Sequence, residues 1–336
     1  MKIIFVVSHP GHVHFFKNII HELVSEGHEI LTIAVDKEMT IKLLEKFNID
    51  YIRLSSHGQN IFSKALLFLK QGYDFFKIIK SFSPKLVIAR SQGFVFQVCK
   101  IVGIQSVLFT DTEHAKINYF LALPFANKIV TPSAFTEELG SRQVKYDSYF
   151  ELSYLSRKVF QPNSQVLDKL NLLPDEKFII LRFVSWKAAH DIGYNGLTKY
   201  DKIKLISFLS SRYKVFVSSE KPIEGFETIP IDMIHDAMHY SSLYIGEGAT
   251  MASECAALGT PSIYINPLSA GTLEEQEKKY KLIIKSGNLD DILLKTKLIL
   301  DNPTSNLKWN KRKEKMYSDK GDFNSFISSL VQNMEI

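Results

Sequence analysis

The sequence has few cysteines, no long apolar run and only a small excess of charge. Its two cysteines, Cys99 and Cys255, lie in apolar, helix-like stretches of a 336-residue chain. Two thiols in such settings exclude a disulfide framework and favour a reducing compartment, so we expect a cytoplasmic protein. No window approaches the apolar run of about 18 residues that a membrane-spanning helix needs.

Other absences exclude further classes of protein. The start, MKIIFVVS, has one charge and a short apolar run before the polar stretch HPGH, which is not the pattern of a secretory leader. The net charge of +5 is too small to indicate a nucleic-acid partner. No spacing of ligand residues is typical of a metal site. We therefore predict neither a metal nor a nucleic-acid partner.

The residues that are present form an alternation of strands and helices. Apolar residues make up 45% of the chain, and its length exceeds one typical core, which favours two domains. The first three predicted strands span residues 2–7, 28–34 and 50–54, with helices between them at 13–25 and 40–47. This βαβαβ opening predicts a doubly wound α/β sheet that binds ligands at the carboxyl ends of its strands.

A looser aromatic stretch at 146–162 separates this part from a second α/β rhythm, which begins with a predicted strand at 178–184. We predict an N-terminal Rossmann-like domain at 1–162 and a second at 163–318. The remaining residues, 319–336, contain a final helix at 323–331.

The stretch GEGATMASECAALGTPSIYIN, residues 246–266, is the strongest candidate for a ligand site. Gly246 and Gly248 indicate a sharp turn after a strand, and Thr250 is a candidate helix cap. A helix that begins at a glycine turn presents unpaired N–H groups and a positive dipole end, which suits phosphate. Glu254 could then accept hydrogen bonds from a ribose. The alternative is an ordinary βαβ turn without a ligand.

Histidines cluster after the first strand, where His9, His12 and His14 fall within six residues. An imidazole that borders a substrate crevice suits general-base chemistry near neutral pH, so His12 and His14 are candidate catalytic residues. Helix capping and polar packing are the alternative explanation.

Two further polar clusters follow predicted strands. Asp111, Glu113 and His114 come after the fifth strand, and two carboxylates beside an imidazole can divide acid and base roles. A hydrogen-bonded turn is the competing interpretation. Trp186, His190 and Asp191 occupy the loop after the second domain's first strand, where the indole either stacks on a ligand or packs the loop onto the sheet.

Residues 62–82 are rich in Phe and Leu, with Lys64, Lys70, Lys77 and Lys80 interleaved. They fit core helices with a solvated lysine rim. They also fit a surface that lies on anionic lipid, such as the inner leaflet of the cytoplasmic membrane, and the basic run around Lys311 supports that second interpretation.

Four stretches together resemble the family called domain of unknown function 354: HPGHVHFFKNIIHELVSEGHEI, DTEHAKINYFLALPFANKIVTP, LRFVSWKAAHD and GEGATMASECAALGTP. That family is similar to the GT-B superfamily of glycosyltransferases and nucleotide-sugar epimerases. The resemblance implies an α/β, GT-B-like fold with two facing Rossmann-like domains and a cleft between them. It also implies that the second domain holds a nucleotide-sugar, that the first takes the acceptor, and that the final helix crosses back to the first domain.

The resemblance transfers to individual residues unevenly. The nucleotide-sugar would contact Gly246, Gly248, Ala249, Thr250, Met251 and Glu254, together with Trp186, His190 and Asp191. His12 resembles the histidine that many GT-B glycosyltransferases use in catalysis, and Glu113 falls where 2-epimerases place a catalytic glutamate. Those epimerases carry an aspartate after the fourth strand, whereas this chain has Arg90–Ser91–Gln92.

These observations predict a metal-independent glycosyltransferase that needs no cofactor and uses a nucleotide diphosphate sugar, a UDP-sugar, as donor. The acceptor would be a cell-surface glycan or a lipid-linked molecule. His12 or His14 would take the acceptor proton, while Glu113 and His114 would position the sugar or the acceptor. Two alternatives stay open: an enzyme like UDP-N-acetylglucosamine 2-epimerase, and a non-catalytic nucleotide-sugar binding protein.

Overall fold

The computed structural model describes residues 1–35, 38–54, 61–113, 116–173, 175–184, 197–219, 224–268 and 270–334. The chain forms two compact units. Unit 1 comprises Met1–Tyr154 together with Gly321–Ile336, and unit 2 comprises Leu155–Lys320. The sequence pattern predicted the domain boundaries after residues 162 and 318.

Unit 1 is built on a seven-stranded sheet in which every neighbouring pair is parallel. The spatial order of the strands is β3-β2-β1-β4-β5-β6-β7. Their bounds are β1 (Lys2–Val7), β2 (Glu29–Val35), β3 (Tyr51–Leu54), β4 (Leu86–Ala89), β5 (Gln105–Phe109), β6 (Lys128–Pro132) and β7 (Gln143–Tyr146). The central strand β1 is almost entirely buried and apolar, as its run of β-branched residues predicts.

Helices connect these strands and cover the sheet. They are α1 (Pro10–Ser25), α2 (Glu38–Lys46), α3 (Ile61–Phe82), α4 (Gly93–Val102), α5 (Lys116–Ala122) and the short α6 (Leu152–Leu155). Residues 62–82, expected to be helical, thus belong to one helix of 22 residues. Within the described residues, no helix combines the length and apolarity that a bilayer crossing requires.

Unit 2 contains a second all-parallel sheet, with five strands in the order β12-β11-β10-β8-β9. The strands are β8 (Phe178–Phe183), β9 (Lys214–Ser219), β10 (Leu243–Gly246), β11 (Ser262–Tyr264) and β12 (Ile283–Lys285). The helices are α7 (Gln165–Lys169), α8 (Lys199–Ser210), α9 (Ile234–Tyr240), α10 (Ala249–Leu258), α11 (Gly271–Lys278), α12 (Leu289–Leu300) and α13 (Ser305–Asp319).

The last helix, α14 (Phe323–Gln332), returns to unit 1 and completes its core. The Phe323 ring lies 5.4 Å from Phe15, 5.1 Å from Phe150 and 6.1 Å from Phe109, measured between ring centroids. Asp322 caps the helix by accepting from two backbone N–H groups of its first turn. An aromatic cluster of this size contributes to stability both through burial and through edge-to-face contacts.

Residues 133–139 form a turn that leads into β7. Two of its backbone N–H groups donate to side chains outside the segment. The N–H of Thr136 donates to Glu113 Oε1 at 3.3 Å, and that of Leu139 donates to Gln143 Oε1 at 2.7 Å. The four-residue strand β7 and the long basic helix α13 were not predicted.

Candidate functional site

In both sheets the order of the strands reverses between two neighbouring central strands. The carboxyl ends of those two strands lie side by side. In unit 2 these strands are β8 and β10, and in unit 1 they are β1 and β4. Open parallel sheets bind ligands in the crevice at such a reversal, outside the carboxyl ends of the strands. Each unit therefore has one position that the topology marks as a candidate site.

The unit 2 position is formed by the glycine turn that follows β10. A Cβ on Gly246 would lie 2.6 Å from Tyr244 Cζ and 2.8 Å from Arg182 Cβ, so only glycine fits there. The Tyr244 hydroxyl donates to the carbonyl of Gly248 at 3.1 Å and supports the turn from below. Burial raises the pKa of Tyr244 well above its ordinary value, so the phenol stays a neutral donor.

Arg182 packs the aliphatic part of its side chain against the same turn. It lies in β8, half-buried, and a Cβ on Gly248 would come 3.3 Å from its Cγ. Its Nη1 donates to Ser218 Oγ on β9 at 2.9 Å, which fixes the direction of the side chain. Arg182 was not predicted from the sequence, although a single charge inside the strand FIILRF was a usable signal.

The helix α10 begins immediately after this turn. Gly248 occupies the N-cap and has no side chain with which to accept from the first N–H groups. Ala249 and Thr250 are exposed and Met251 is half-buried, so the helix start is open to solvent. The expectation that Thr250 caps the helix was wrong, because Thr250 is the second helical residue. The site thus combines a guanidinium side chain with the positive end of a helix.

Glu254 lies deeper than the sequence suggested. It falls in the second turn of α10 rather than the first, and only 6% of its surface is exposed. Its Oε1 lies 3.0 Å from Nε2 of His235, a buried residue of α9. This contact joins two residues that lie 19 positions apart in the chain. Nothing in the sequence indicated His235.

Glu247 holds the turn in place from inside. Its carboxylate accepts from the N–H of Val184 at 2.8 Å and forms an ion pair with Lys202 Nζ at 2.8 Å. Its backbone carbonyl accepts from Asn266 Nδ2 at 3.0 Å. The side chain is fully buried. The two hydrogen bonds tie the ends of β8, β10 and β11 together, and the ion pair anchors α8.

In unit 1 the corresponding position brings together the ends of β1 and β4. The side chain of Gln92 donates to Ser8 Oγ and thereby links the two strand ends. The helix predicted from residue 13 already begins at Pro10, with His9 as N-cap and its Nδ1 accepting from Gly11 N–H at 3.1 Å. His12 is half-buried in the first turn of α1, and its Nδ1 accepts from the N–H of Ser8 at 3.4 Å.

His14 occupies a different environment from His12, although the sequence grouped them. Only 5% of its surface is exposed. Its ring lies 5.7 Å from Phe47 and 5.6 Å from Tyr154, measured between centroids. The two histidines are therefore not brought together at one surface.

The two carboxylates after β5 have separate partners. Asp111 forms an ion pair with Arg90, whose guanidinium also lies over the rings of Phe15 and Phe150 at 5.3 and 4.9 Å. Glu113 is buried, and its Oε1 accepts from Thr136. Arg90, which the sequence identified only as a departure from the epimerase pattern, thus compensates the charge of Asp111.

Four predicted site residues, His114, Trp186, His190 and Asp191, lie outside the described residues. In the part of the chain that is described, no group of three or more His, Cys, Asp or Glu side chains is arranged to hold a metal ion.

Comparison with known proteins identifies relatives over nearly the whole chain. An uncharacterized protein of Methanocaldococcus jannaschii, MJ0665, is 25% identical over 276 residues, which cover 78% of this chain and 80% of that protein. The crystal structure of UDP-GlcNAc 2-epimerase from Neisseria meningitidis bound to UDP-GlcNAc aligns with a TM-score of 0.73 at 10% identity. That alignment covers 99% of this chain and 100% of the epimerase.

A glycosyltransferase has the same fold. SsfS6 of Streptomyces sp. SF2575 aligns with a TM-score of 0.59 at 13% identity, covering 98% of this chain and 99% of that protein. These likenesses confirm the predicted α/β, GT-B-like fold. The family model described as "Protein of unknown function (DUF354)" matches residues 1–319. The chain therefore belongs to the DUF354 family, as its motifs indicated.

Proposed function

We propose that this protein is a GT-B-type glycosyltransferase that moves a sugar from a nucleotide diphosphate sugar to a glycan or lipid-linked acceptor. The observation that carries the proposal is the packing of Arg182 against Gly248, at the open start of α10. A diphosphate needs a fixed cation and several N–H donors, and this position offers both. The fold shared with a UDP-GlcNAc-bound epimerase and a glycosyltransferase supports the proposal.

The donor would lie with its diphosphate on the N–H groups of Ala249, Thr250 and Met251. Arg182 would balance its negative charge. Glu254 would accept the ribose hydroxyls while His235 holds its Oε1. We propose a UDP-sugar as donor and no separate cofactor. Trp186, His190 and Asp191 stay predicted contacts of the base or the sugar.

Transfer forms a bond between the acceptor oxygen and the anomeric carbon, and it breaks the bond from that carbon to the diphosphate oxygen. We assign the base to His12 rather than His14, because His12 is half-buried at the strand ends and His14 packs among aromatic rings. His12 would take the acceptor proton on Nδ1 and give up its long contact with Ser8. The leaving diphosphate would keep the bonding electrons, stabilised by Arg182 and α10. Glu113 and His114 would position the sugar or the acceptor.

An epimerase is the second candidate, because Asp111 and Glu113 follow β5 and the fold matches a UDP-GlcNAc 2-epimerase. Epimerisation removes a proton from carbon and returns one, and therefore needs both a free base and an acid. The ion pair of Arg90 with Asp111 opposes this role.

The test is turnover of UDP-sugars in deuterated water, with and without an oligosaccharide or polyprenyl-phosphate acceptor. A transferase releases UDP in proportion to added acceptor and puts no deuterium into the sugar. Deuterium incorporation without acceptor would establish an epimerase instead. Binding without either reaction would leave the non-catalytic alternative.

His12→Ala should lower kcat of transfer by roughly 100-fold or more, because it removes the general base. Nucleotide affinity should stay unchanged, since His12 belongs to unit 1 and the proposed nucleotide site to unit 2. His21→Ala is the matched control, an exposed histidine of the same helix. A rate of His12→Ala within a few-fold of the wild type would remove His12 from this role.

A further inference from the structure

The outward face of α3 carries large apolar side chains where a surface helix normally carries polar ones. Leu66, Leu69 and Tyr73 are 53%, 68% and 59% exposed. Their spacing of three and then four residues places them on one stripe of the helix. The stripe is therefore a continuous feature and not three scattered residues.

This stripe is distinct from the face that α3 uses in the core. The rings of Phe68 and Phe75 lie 6.0 and 5.9 Å from Phe94 of α4, measured between centroids. Gly72 lies on the same face, since a Cβ there would be in ordinary contact, 3.9 Å from Phe94. One face of α3 therefore packs into the core of unit 1. The apolar stripe lies on another face and is not part of that core.

Lysines border the stripe. Lys70, Lys77 and Lys80 are all exposed. The Lys77 Nζ lies 4.2 Å from the Tyr73 ring centroid, and the Lys80 Nζ lies 5.6 Å from that of Phe76. The sequence of α3 contains four lysines and a single acid, Asp74, which pairs with Lys70 at 3.2 Å. The exposed apolar surface is consequently surrounded by positive charge.

We propose that this outward face of α3, defined as Leu66, Leu69, Lys70, Tyr73, Lys77 and Lys80, lies on an anionic phospholipid surface. The apolar side chains would enter the boundary between headgroups and acyl chains, and the lysines would meet lipid phosphates. From Leu66 to Lys80 the helix runs about 21 Å, long enough for all six side chains to meet one flat surface. This proposal does not depend on the proposed sugar transfer.

The charge distribution favours lipid over a second copy of the chain. Two copies that packed their stripes together would bring six lysines into one seam. The only acid of each helix, Asp74, already pairs with its own Lys70. An anionic bilayer instead supplies the missing counter-charge across the whole face.

The test is co-sedimentation with vesicles of phosphatidylcholine alone or mixed with phosphatidylserine, at low and high salt. Wild type should bind only the anionic vesicles, and salt should weaken binding. Lys70→Gln/Lys77→Gln/Lys80→Gln should weaken it about 100-fold, since each lysine contributes roughly fivefold near such a surface. Lys169→Gln/Lys199→Gln/Lys204→Gln, exposed residues of α7 and α8 in unit 2, removes the same charge elsewhere and should bind normally.

A second variant tests the apolar stripe at unchanged charge. Leu66→Gln/Leu69→Gln/Tyr73→Gln should lose binding and keep its helix, because glutamine is a good helix former. Its control is Leu294→Gln/Leu298→Gln, an exposed pair on α12. Circular dichroism and thermal unfolding of each variant show that the fold is retained.

Three outcomes would overturn the proposal. Wild type could fail to bind anionic vesicles at low salt. The control with the α7 and α8 lysines replaced could lose as much binding as the α3 lysine variant, which would indicate general charge attraction. The stripe variant could bind vesicles normally and convert a wild-type dimer to a monomer, which would make a second copy the occupant.

Discussion

At the end of β10, one turn requires a glycine for steric reasons and also lies beside a charged residue. Gly246 is packed between Tyr244 and Arg182, so its missing side chain brings the arginine close to the helix start. The sequence predicted the turn, because two glycines before a helix are a strong local signal. It did not predict the arginine or the contact of Glu254 with His235. Those depend on neighbours in space that lie tens of residues apart in the chain.

Gly246→Ala should lower the free energy of unfolding by about 1–3 kcal/mol, because the new methyl group overlaps Tyr244 and Arg182. Denaturant unfolding measures this change. Gly287→Ala is the matched control, since nothing lies within 4 Å of a Cβ there. Equal stability of Gly246→Ala and wild type would show that the turn is looser than described.

At the scale of elements, the strands with buried apolar runs were predicted and those without them were missed. Strand β1 forms over Lys2–Val7 as predicted, because five consecutive apolar residues leave few alternatives. Strand β7 is short and half-buried, and its sequence QVKY carries no clear period. The turn before it resembles a helix start in sequence, yet Glu113 and Gln143 accept its N–H groups. Side chains outside a segment therefore decided its structure.

Helix α9 should make stability depend on pH. Burial, together with the charge of Lys313, lowers the pKa of His239 below its ordinary value, and Asp236 opposes this. The unfolded chain therefore binds this proton more readily than the folded one. The contribution of neutral His239 to the free energy of unfolding is complete above the unfolded pKa of about 6.5. It is lost as the pH falls below that value. His239→Gln should show a shallower loss of stability between pH 7 and pH 5 in denaturant titrations. Parallel curves for variant and wild type would contradict this.

At the scale of the whole molecule, the chain begins and ends in the same unit. The length of the chain, together with its alternation of strands and helices, predicted two α/β units. The return of α14 was implied only by family resemblance, because a short amphipathic helix carries no signal for which sheet it covers. In the structure its Phe323 lies among Phe15, Phe109 and Phe150, which come from three separate parts of unit 1.

Removing residues 321–336 should therefore destabilise unit 1 and spare unit 2. Phe323→Ala is the gentler version and should cost about 3–5 kcal/mol, the usual penalty for a large buried aromatic. Hydrogen exchange followed by peptide mapping reports the two units separately. We expect faster exchange in β1 and β5 with little change in β8 and β10. Uniform acceleration in both units would contradict a role for α14 confined to unit 1.

The most direct test of the proposed function is calorimetric titration of the protein with UDP, GDP, ADP, CMP and dTDP. We predict that one nucleoside diphosphate binds, with UDP as the expected ligand. Arg182→Met should weaken that binding by about 10- to 100-fold, since hydrogen bonds to charged groups contribute about 1.5–3 kcal/mol. Arg212 lies just before β9, at the amino end of the strands rather than at the carboxyl ends that form the site, and Arg212→Met should bind as the wild type does. Absence of binding by every nucleotide at millimolar concentration, or equal affinity of Arg182→Met and wild type, would contradict a nucleotide site at the start of α10.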